Sequence, residues 1–256
     1  MSGEVRLDRT GPIGWAVFDH PKRRNALTAA MMGQFLAVLE RVAADRSIRV
    51  LVLRGGGELA FVSGADISAF GSPLGVEAGP RPEDVTAAIS GLAKPVVAAL
   101  RGWCLGAGVL LALAADIRVA GDDLRIGIPA AKLGVAYPRR GVDRLVALVG
   151  PAVAAEMLMT GEPYDAAGAL DKGLVNRLVP AFELFDHVQH LAESLASNAP
   201  LTLAAAKLTI AAVQEPDDEA ASSAADGAIS NCFKSEDFQE GQRAFAEKRA
   251  AVFKGL

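Results

Sequence analysis

Two short stretches carry the residue types needed to hold a negatively charged oxygen. They are Phe61-Val62-Ser63-Gly64-Ala65-Asp66-Ile67 and Gly102-Trp103-Cys104-Leu105-Gly106-Ala107-Gly108. Each follows an apolar run that reads as a strand, and the second also opens a helix. Small residues let backbone N–H groups approach a ligand closely. A helix N-terminus adds unpaired donors and a favourable dipole. Two such N–H groups aimed at one oxygen would form an oxyanion hole, a device that stabilises developing negative charge. The same glycines also suit plain helix–strand packing. They do not complete a G-x-G-x-x-G dinucleotide fingerprint.

Other chemistry is poorly supplied. Cys104 has no obvious histidine partner and sits where a small buried residue fits. His187 and His190 lie three apart with no third ligand in sight, and no CxxC is present, so no metal site is expected. Lys22-Arg23-Arg24 is a short basic run whose default reading is a solvated loop.

The elements that must position these stretches alternate between strand and helix. Val5–Leu7 and Trp15–Phe18 read as strands joined at Thr10-Gly11-Pro12. Thr28 is the expected N-cap of a helix running to about Ala44. Val50–Leu53, Val96–Leu100 and Ile117–Ala120 read as strands, and Leu105–Ala115 as a small-residue helix. Beyond Gly141 the spacing predicts helices over Val142–Val149, Ala152–Met159, Asp165–Leu170, Phe182–Ser197, Leu201–Val213 and Phe238–Val252. Gly71 to Pro82 reads either as a loop over a site or as ordinary surface. The fold class is α/β.

With 256 residues, 51% of them hydrophobic, the chain is long enough for one large core. Its 26 basic and 30 acidic side chains give −4, which argues against a general nucleic-acid binder. No signal peptide and no membrane-length apolar run is legible, so a cytoplasmic protein with no membrane partner is expected.

Further segments add to the two glycine-rich stretches in a fixed order. His20-Pro21-Lys22-Arg23-Arg24-Asn25-Ala26-Leu27 is similar to a "P-x-x-x-N-A-L" segment, and Ala60 to Ile67 to "A-F-x-x-G-A-D-I". Lys94-Pro95-Val96 through Asp116 is similar to "K-P-V-I-A-A-V-x-G … G-G-G … D". Leu133-Gly134-Val135, Gly141 to Leu145, Thr160-Gly161-Glu162, Gly173-Leu174-Val175 and Ala244 to Lys248 complete the order. On these segments the chain resembles the crotonase (enoyl-CoA hydratase/isomerase) superfamily along nearly its whole length.

The resemblance implies a crotonase-like spiral of ββα units over residues 1–195. A helical C-terminal region over 196–256 would form a homotrimer or homohexamer. It implies an acyl-CoA thioester as ligand, with coenzyme A present only as part of that substrate and no other cofactor. The N–H groups of Ala65 and Ala107 would hold the thioester oxygen. Ala107 stands where the family more often has glycine. Lys22, Arg24, Ala26, Asp66, Ile67, Phe245 and Lys248 would contact coenzyme A. Of these, Lys22 and Arg24 fall near the phosphates and Asp66 and Ile67 beside the adenine. Phe245 and Lys248, on the tail helix, would reach the cofactor moiety of their own or a neighbouring subunit.

The resemblance also defines what is missing. In hydratases of this family one glutamate sits just after the glycine cluster and another follows the proline of "G-x-P-E". Here those positions read Leu110 and Ala130. Neither side chain can move a proton. Leu133-Gly134-Val135-Ala136-Tyr137 is partly similar to the methylmalonyl-CoA decarboxylase branch, which carries a histidine where this chain has Ala65. Tyr137 is therefore a candidate to orient a carboxylate or protonate an enolate; simple packing is the alternative. Arg139, Arg140 and Asp143 follow it without a ranked role.

Overall fold

The computed structural model describes residues 3–65 and 80–256. The strands are β1 (Glu4–Thr10), β2 (Ile13–Asp19), β3 (Val50–Gly55), β4 (Ala60–Val62), β5 (Val96–Leu100), β6 (Trp103–Leu105), β7 (Ile117–Gly121), β8 (Arg125–Gly127), β9 (Tyr164–Asp165) and β10 (Arg177–Val179). The helices of the first part are α1 (Ala29–Ala44), α2 (Pro82–Gly91), α3 (Ala107–Ala114), α4 (Ala130–Leu133) and α5 (Arg139–Thr160). They are followed by α6 (Ala166–Asp171), α7 (Leu184–Ser197), α8 (Pro200–Gln214), α9 (Glu219–Lys234) and α10 (Glu236–Glu247).

Three successive units have the order strand, strand, helix: β3-β4-α2, β5-β6-α3 and β7-β8-α4. The first strand of each joins a six-stranded sheet ordered β1-β2-β3-β5-β7-β10, and the second a four-stranded sheet ordered β4-β6-β8-β9. Each unit therefore adds one strand to both sheets, which is the expected spiral. The antiparallel hairpin β1-β2 starts it, and from β2 to β10 the larger sheet is parallel.

Parallel strands covered on both faces read as continuous apolar runs. Ile13 to Phe18 is buried throughout, and its alternate residues serve different cores. Ala16 and Phe18 join Leu51, Leu53, Ala98 and Leu100 on the α1 side. Ile13, Trp15 and Val17 join Val50, Val52, Val97 and Ala99 on the other. That second face is closed by α7 through Leu184, Val188, Ala192 and Ala196, spaced four apart as one helical stripe requires. The break between α7 and α8 falls at residues 198–199.

The sequence reading and the structure differ in local ways. The helix expected from Leu105 starts at Ala107, because Trp103 to Leu105 pair in parallel with β8 and Gly106 leaves helical geometry at φ 50°. The two helices expected after Gly141 form the two limbs of α5, which is interrupted by Gly150 at φ 76°, with Pro151 following. α10 ends at Glu247 rather than at Val252, because Lys248 turns left-handed at φ 55°. Lys248 thus caps the tail helix instead of lying on it. α2 and α9 had no counterpart in the sequence reading. Thr28 caps α1 as expected, accepting from the Met31 N–H at 3.2 Å. Of the Gly71–Pro82 stretch, 71–79 lie outside the described residues, and Pro82 opens α2.

Candidate active site

The two glycine-rich stretches are neighbours in the smaller sheet. β4 pairs in parallel with β6, Ala60 opposite Trp103 and Val62 opposite Cys104. Parallel pairing makes both chains leave the sheet at the same end, so Gly64-Ala65 and Gly106-Ala107 emerge side by side. A Cβ on Gly106 would lie 3.9 Å from the Gly64 Cα, and one on Gly64 would lie 3.7 Å from the Leu105 carbonyl oxygen. Both glycines have positive φ, 124° and 50°. The close approach continues into α3, where a Cβ on Gly108 would stand 2.1 Å from the Val62 carbonyl oxygen. Gly108 is therefore a packing glycine, and it seats the start of α3 against the end of β4.

Ala107 is the first residue of α3, so its N–H is one of those a helix leaves without an intrahelical acceptor. Ala107 has no positive φ, and alanine sits there without backbone strain. Gly106 is tied on both sides. Its N–H donates to the Gly127 carbonyl at 3.0 Å. Its carbonyl accepts from the N–H groups of Val109 at 3.0 Å and Leu110 at 3.2 Å. The Tyr137 hydroxyl donates to the same oxygen at 3.1 Å. Burial, and after it the neighbouring Cys104, raise the Tyr137 phenol well above its ordinary pKa, so it remains a proton donor through the physiological range. The Cys104 thiol is fully buried and is also pushed up, which removes it as a nucleophile.

The basic segment lies against the first loop. Leu27 bridges Ala65, with the Leu27 N–H on the Gly64 carbonyl at 2.8 Å. The Ser63 N–H donates to the Arg24 carbonyl at 3.2 Å, and the Ser63 hydroxyl to that of Arg23 at 3.0 Å. Lys22 sits in a 3-10 turn, Pro21–Arg23, with its side chain exposed. The Arg24 guanidinium lies 5.9 Å above the Trp103 ring. Ala26 is half-buried, and its carbonyl meets His20 Nδ1 at 3.1 Å.

Asn25, named in the sequence reading only as part of a motif, is the residue of this loop whose role that reading missed. Arg24 and Asn25 are consecutive non-glycine residues with left-handed φ, 49° and 60°, a costly arrangement that needs support. Asn25, only 1% exposed, supplies it. Its Oδ1 accepts from the His20 N–H at 2.9 Å. Its Nδ2 donates to the carbonyls of Gly56 at 3.0 Å and Ala60 at 2.8 Å. One buried amide thus joins the basic turn to the root of β4. Asparagine's tolerance of left-handed backbone and its two-ended hydrogen bonding were the available signals.

The wall next to these loops is apolar. Leu110, one turn into α3, is 5% exposed, and Ala130, opening α4, is 9% exposed. Gly141 packs close to both Leu110 and Tyr137: a Cβ there would lie 2.3 Å from Leu110 Cδ2 and 3.0 Å from Tyr137 Cε1. No aspartate or glutamate occurs in 102–115 or in 124–142. Arg139 and Asp143 pair with each other at 3.7 Å on the exposed side of α5.

The remaining sequence candidates stand apart. Asp66 and Ile67 lie outside the described residues. Phe245 is 88% exposed near the end of α10, which packs on α9. Among the described residues no hydrogen bond or ion pair joins Phe245 or Lys248 to the paired loops. His20 is buried in the loop it stabilises, and His187 meets Arg177 at 3.3 Å. Among the described residues no cluster of three or more His, Cys, Asp or Glu is suited to a metal, and no helix is long and apolar enough to cross a membrane.

A ββα spiral with paired glycine loops at the strand ends defines a crotonase-fold protein. The chain belongs to the enoyl-CoA hydratase/isomerase family, whose profile it matches over residues 10–256. It is 40% identical over 261 residues to a carnitinyl-CoA dehydratase of Citrobacter koseri, with 100% of both chains covered. It is 39% identical over 264 residues to that of Salmonella typhi, again with full coverage of both. Among solved structures it resembles an enoyl-CoA hydratase from Bacillus anthracis, with TM-score 0.90 and 28% identity over 99% of this chain and 100% of that one. It also resembles an enoyl-CoA hydratase/carnitine racemase from Magnetospirillum magneticum, with TM-score 0.89 and 32% identity over 98% of this chain and 96% of that one.

Proposed function

We propose that the chain is an acyl-CoA enzyme that stabilises a thioester enolate between the N–H groups of Ala65 and Ala107. The observation that carries this reading is the side-by-side exit of the two glycine loops from paired β4 and β6. As an α-proton or α-carboxylate leaves, charge collects on the thioester oxygen. Fixed neutral donors stabilise it without titrating, and each is worth on the order of 3 kcal/mol of barrier. On this reading Lys22, Arg24 and Ala26 take the coenzyme A end; what supports it is that their turn is held against the Ala65 loop through Leu27 and Ser63. The reading extends to Asp66, Ile67, Phe245 and Lys248 by resemblance alone, and so does the trimeric or hexameric assembly.

The reaction is argued from the apolar wall. With Leu110 and Ala130 in place of carboxylates, addition of water across a simple enoyl thioester lacks its positioned acid and base. Decarboxylation or isomerisation through the same enolate asks less of that wall and is preferred. A second reading is favoured by the 40% identity to carnitinyl-CoA dehydratase: elimination of water from a 3-hydroxyacyl-CoA bearing a cationic group. A non-catalytic acyl-CoA-binding protein is the rival from another class.

Crotonyl-CoA hydration tests the argument from the apolar wall. Its turnover is expected at least about 10²-fold below that of an ordinary hydratase, the usual contribution of a positioned acid or base. An ordinary turnover number would refute the argument from Leu110 and Ala130. Product analysis with malonyl-type and carnitinyl thioesters then distinguishes decarboxylation from dehydration. Absence of acetyl-CoA binding at millimolar concentration would overturn the acyl-CoA reading altogether.

A further inference from the structure

The Gly106–Ala107 peptide is one rigid unit, so what happens at its oxygen is felt at its nitrogen. The Ala107 N–H belongs to the same amide plane as the Gly106 carbonyl. Hydrogen bonds accepted by an amide oxygen draw electron density from nitrogen and make the N–H a better donor, as in any hydrogen-bond chain. Three donors converge on the Gly106 oxygen. Two are backbone N–H groups of the first turn of α3, from Val109 and Leu110. The third is the Tyr137 hydroxyl at 3.1 Å, from a segment 31 residues further along the chain.

We propose that Tyr137 is a positioning residue, whose hydroxyl fixes the Gly106–Ala107 peptide and strengthens the Ala107 N–H as a donor to the thioester oxygen. The inference rests on the reading of Ala107 as an oxyanion donor and deepens it.

Gly106 needs such an anchor. Its φ of 50° and ψ of −110° belong to no regular element, and glycine imposes little restraint of its own. The Tyr137 ring is in turn held in place, since it lies so close to Gly141 that a methyl group there would come within 3.0 Å of Cε1. Burial keeps the phenol protonated, so the anchor does not switch off near neutral pH. The hydroxyl hydrogen that makes this bond is the one an enolate-protonating tyrosine would have to give up. Support of the peptide and direct proton donation are thus competing uses of one hydrogen, and the structure shows it committed to Gly106.

The test uses acetyl-CoA carrying ¹³C at the thioester carbonyl and isotope-edited infrared difference spectroscopy on the bound ligand. In the wild-type protein the carbonyl band is expected below its position in free acetyl-CoA. In Tyr137→Phe that displacement is expected to shrink by roughly 5–15%, because the 10–30% strengthening one bond confers on the next falls on one of the two donors. The dissociation constant is expected to change by less than about twofold, because ground-state contacts elsewhere are untouched. Replacement of Tyr137 alone by 3-fluorotyrosine, a more acidic phenol and stronger donor, is expected to enlarge the displacement. An unchanged band in both variants would overturn the positioning role while leaving the Ala65–Ala107 reading standing. No displacement in the wild type would overturn that reading, and the positioning role with it. If Tyr137→Phe does not fold, the fluorotyrosine protein decides the question alone.

Discussion

The two walls of the candidate site are built from different materials. One is backbone: paired strand ends, positive-φ glycines and the first turn of α3 bring Ala65 and Ala107 side by side. The other is side chain: Leu110 and Tyr137, packed together at Gly141, stand beside the second loop, and the buried Ala130 opens α4. A backbone wall tolerates substitution at its donors, because any small residue presents the same N–H. It tolerates almost none at the glycines that let the chains meet. A side-chain wall changes its chemistry with each substitution and barely disturbs the fold. On the proposed reading, a protein can therefore keep one wall and exchange the other, retaining enolate stabilisation while its reaction changes.

The sharpest way to break this contrast is at Gly108. A Cβ there would meet the Val62 carbonyl oxygen at 2.1 Å, and backbone cannot swing aside as a flexible side chain can. Gly108→Ala is expected to cost at least about 3 kcal/mol, the upper part of the range for overpacking, and to abolish acyl-CoA turnover. Denaturant unfolding measures the first effect. A stable, active Gly108→Ala protein would mean that the backbone wall is not built by close approach.

The opposite wall invites a constructive test. Leu110→Glu with Ala130→Glu is expected to raise crotonyl-CoA hydration by about 10²-fold, the lower part of what positioned acids and bases supply. Steady-state kinetics gives the answer. A double variant that folds, binds acetyl-CoA and shows no gain would count against the idea that these two positions alone separate this chain from a hydratase.

The same division explains what could be read without coordinates. Apolar strands such as Trp15 to Phe18 and the helix expected over Phe182–Ser197 announce themselves, because burial is written in residue type. The glycine loops were legible as places where backbone comes close, but residue type alone left packing and ligand binding as alternatives, and Gly108 serves packing. The start of α3 was not legible. Leu105 is as apolar as the helix that follows, and only its pairing with Gly127 draws it into the sheet. α9 escaped notice because Glu219 to Lys234 is mostly small and polar, with Ala225 its one fully buried residue. Hydrogen bonds between distant segments were beyond sequence reasoning altogether. Tyr137 could be singled out by its motif, but its partner, the Gly106 carbonyl, is fixed only by the path of the chain.

Asn25 stands between the two kinds of wall, a side chain that holds backbone. Asn25→Ala removes three hydrogen bonds and leaves the His20 N–H and the Gly56 and Ala60 carbonyls to find other partners. A loss of about 2 kcal/mol in stability is expected, typical for buried groups left unsatisfied. Coenzyme A affinity is expected to weaken as well, because the turn bearing Lys22 and Arg24 loses its tie to β4. Calorimetric titration with free coenzyme A checks the second effect. Unchanged affinity in a destabilised variant would detach the basic turn from the binding site.

The smallest effect is expected at Ala107. If only its N–H matters, Ala107→Gly leaves the donor in place and changes little else. Ala107 has no positive φ, so glycine relieves no strain. It adds freedom to the unfolded chain instead, for a cost of about 0.5 kcal/mol. Turnover is expected within about twofold of wild type, since transition-state contacts are kept. Two measurements, a melting curve and a rate, therefore suffice. A tenfold loss of rate at nearly unchanged stability would show that the methyl group restrains the peptide. Ala107 would then share with Tyr137 the task of aiming its own N–H, and the donor wall would no longer be backbone alone.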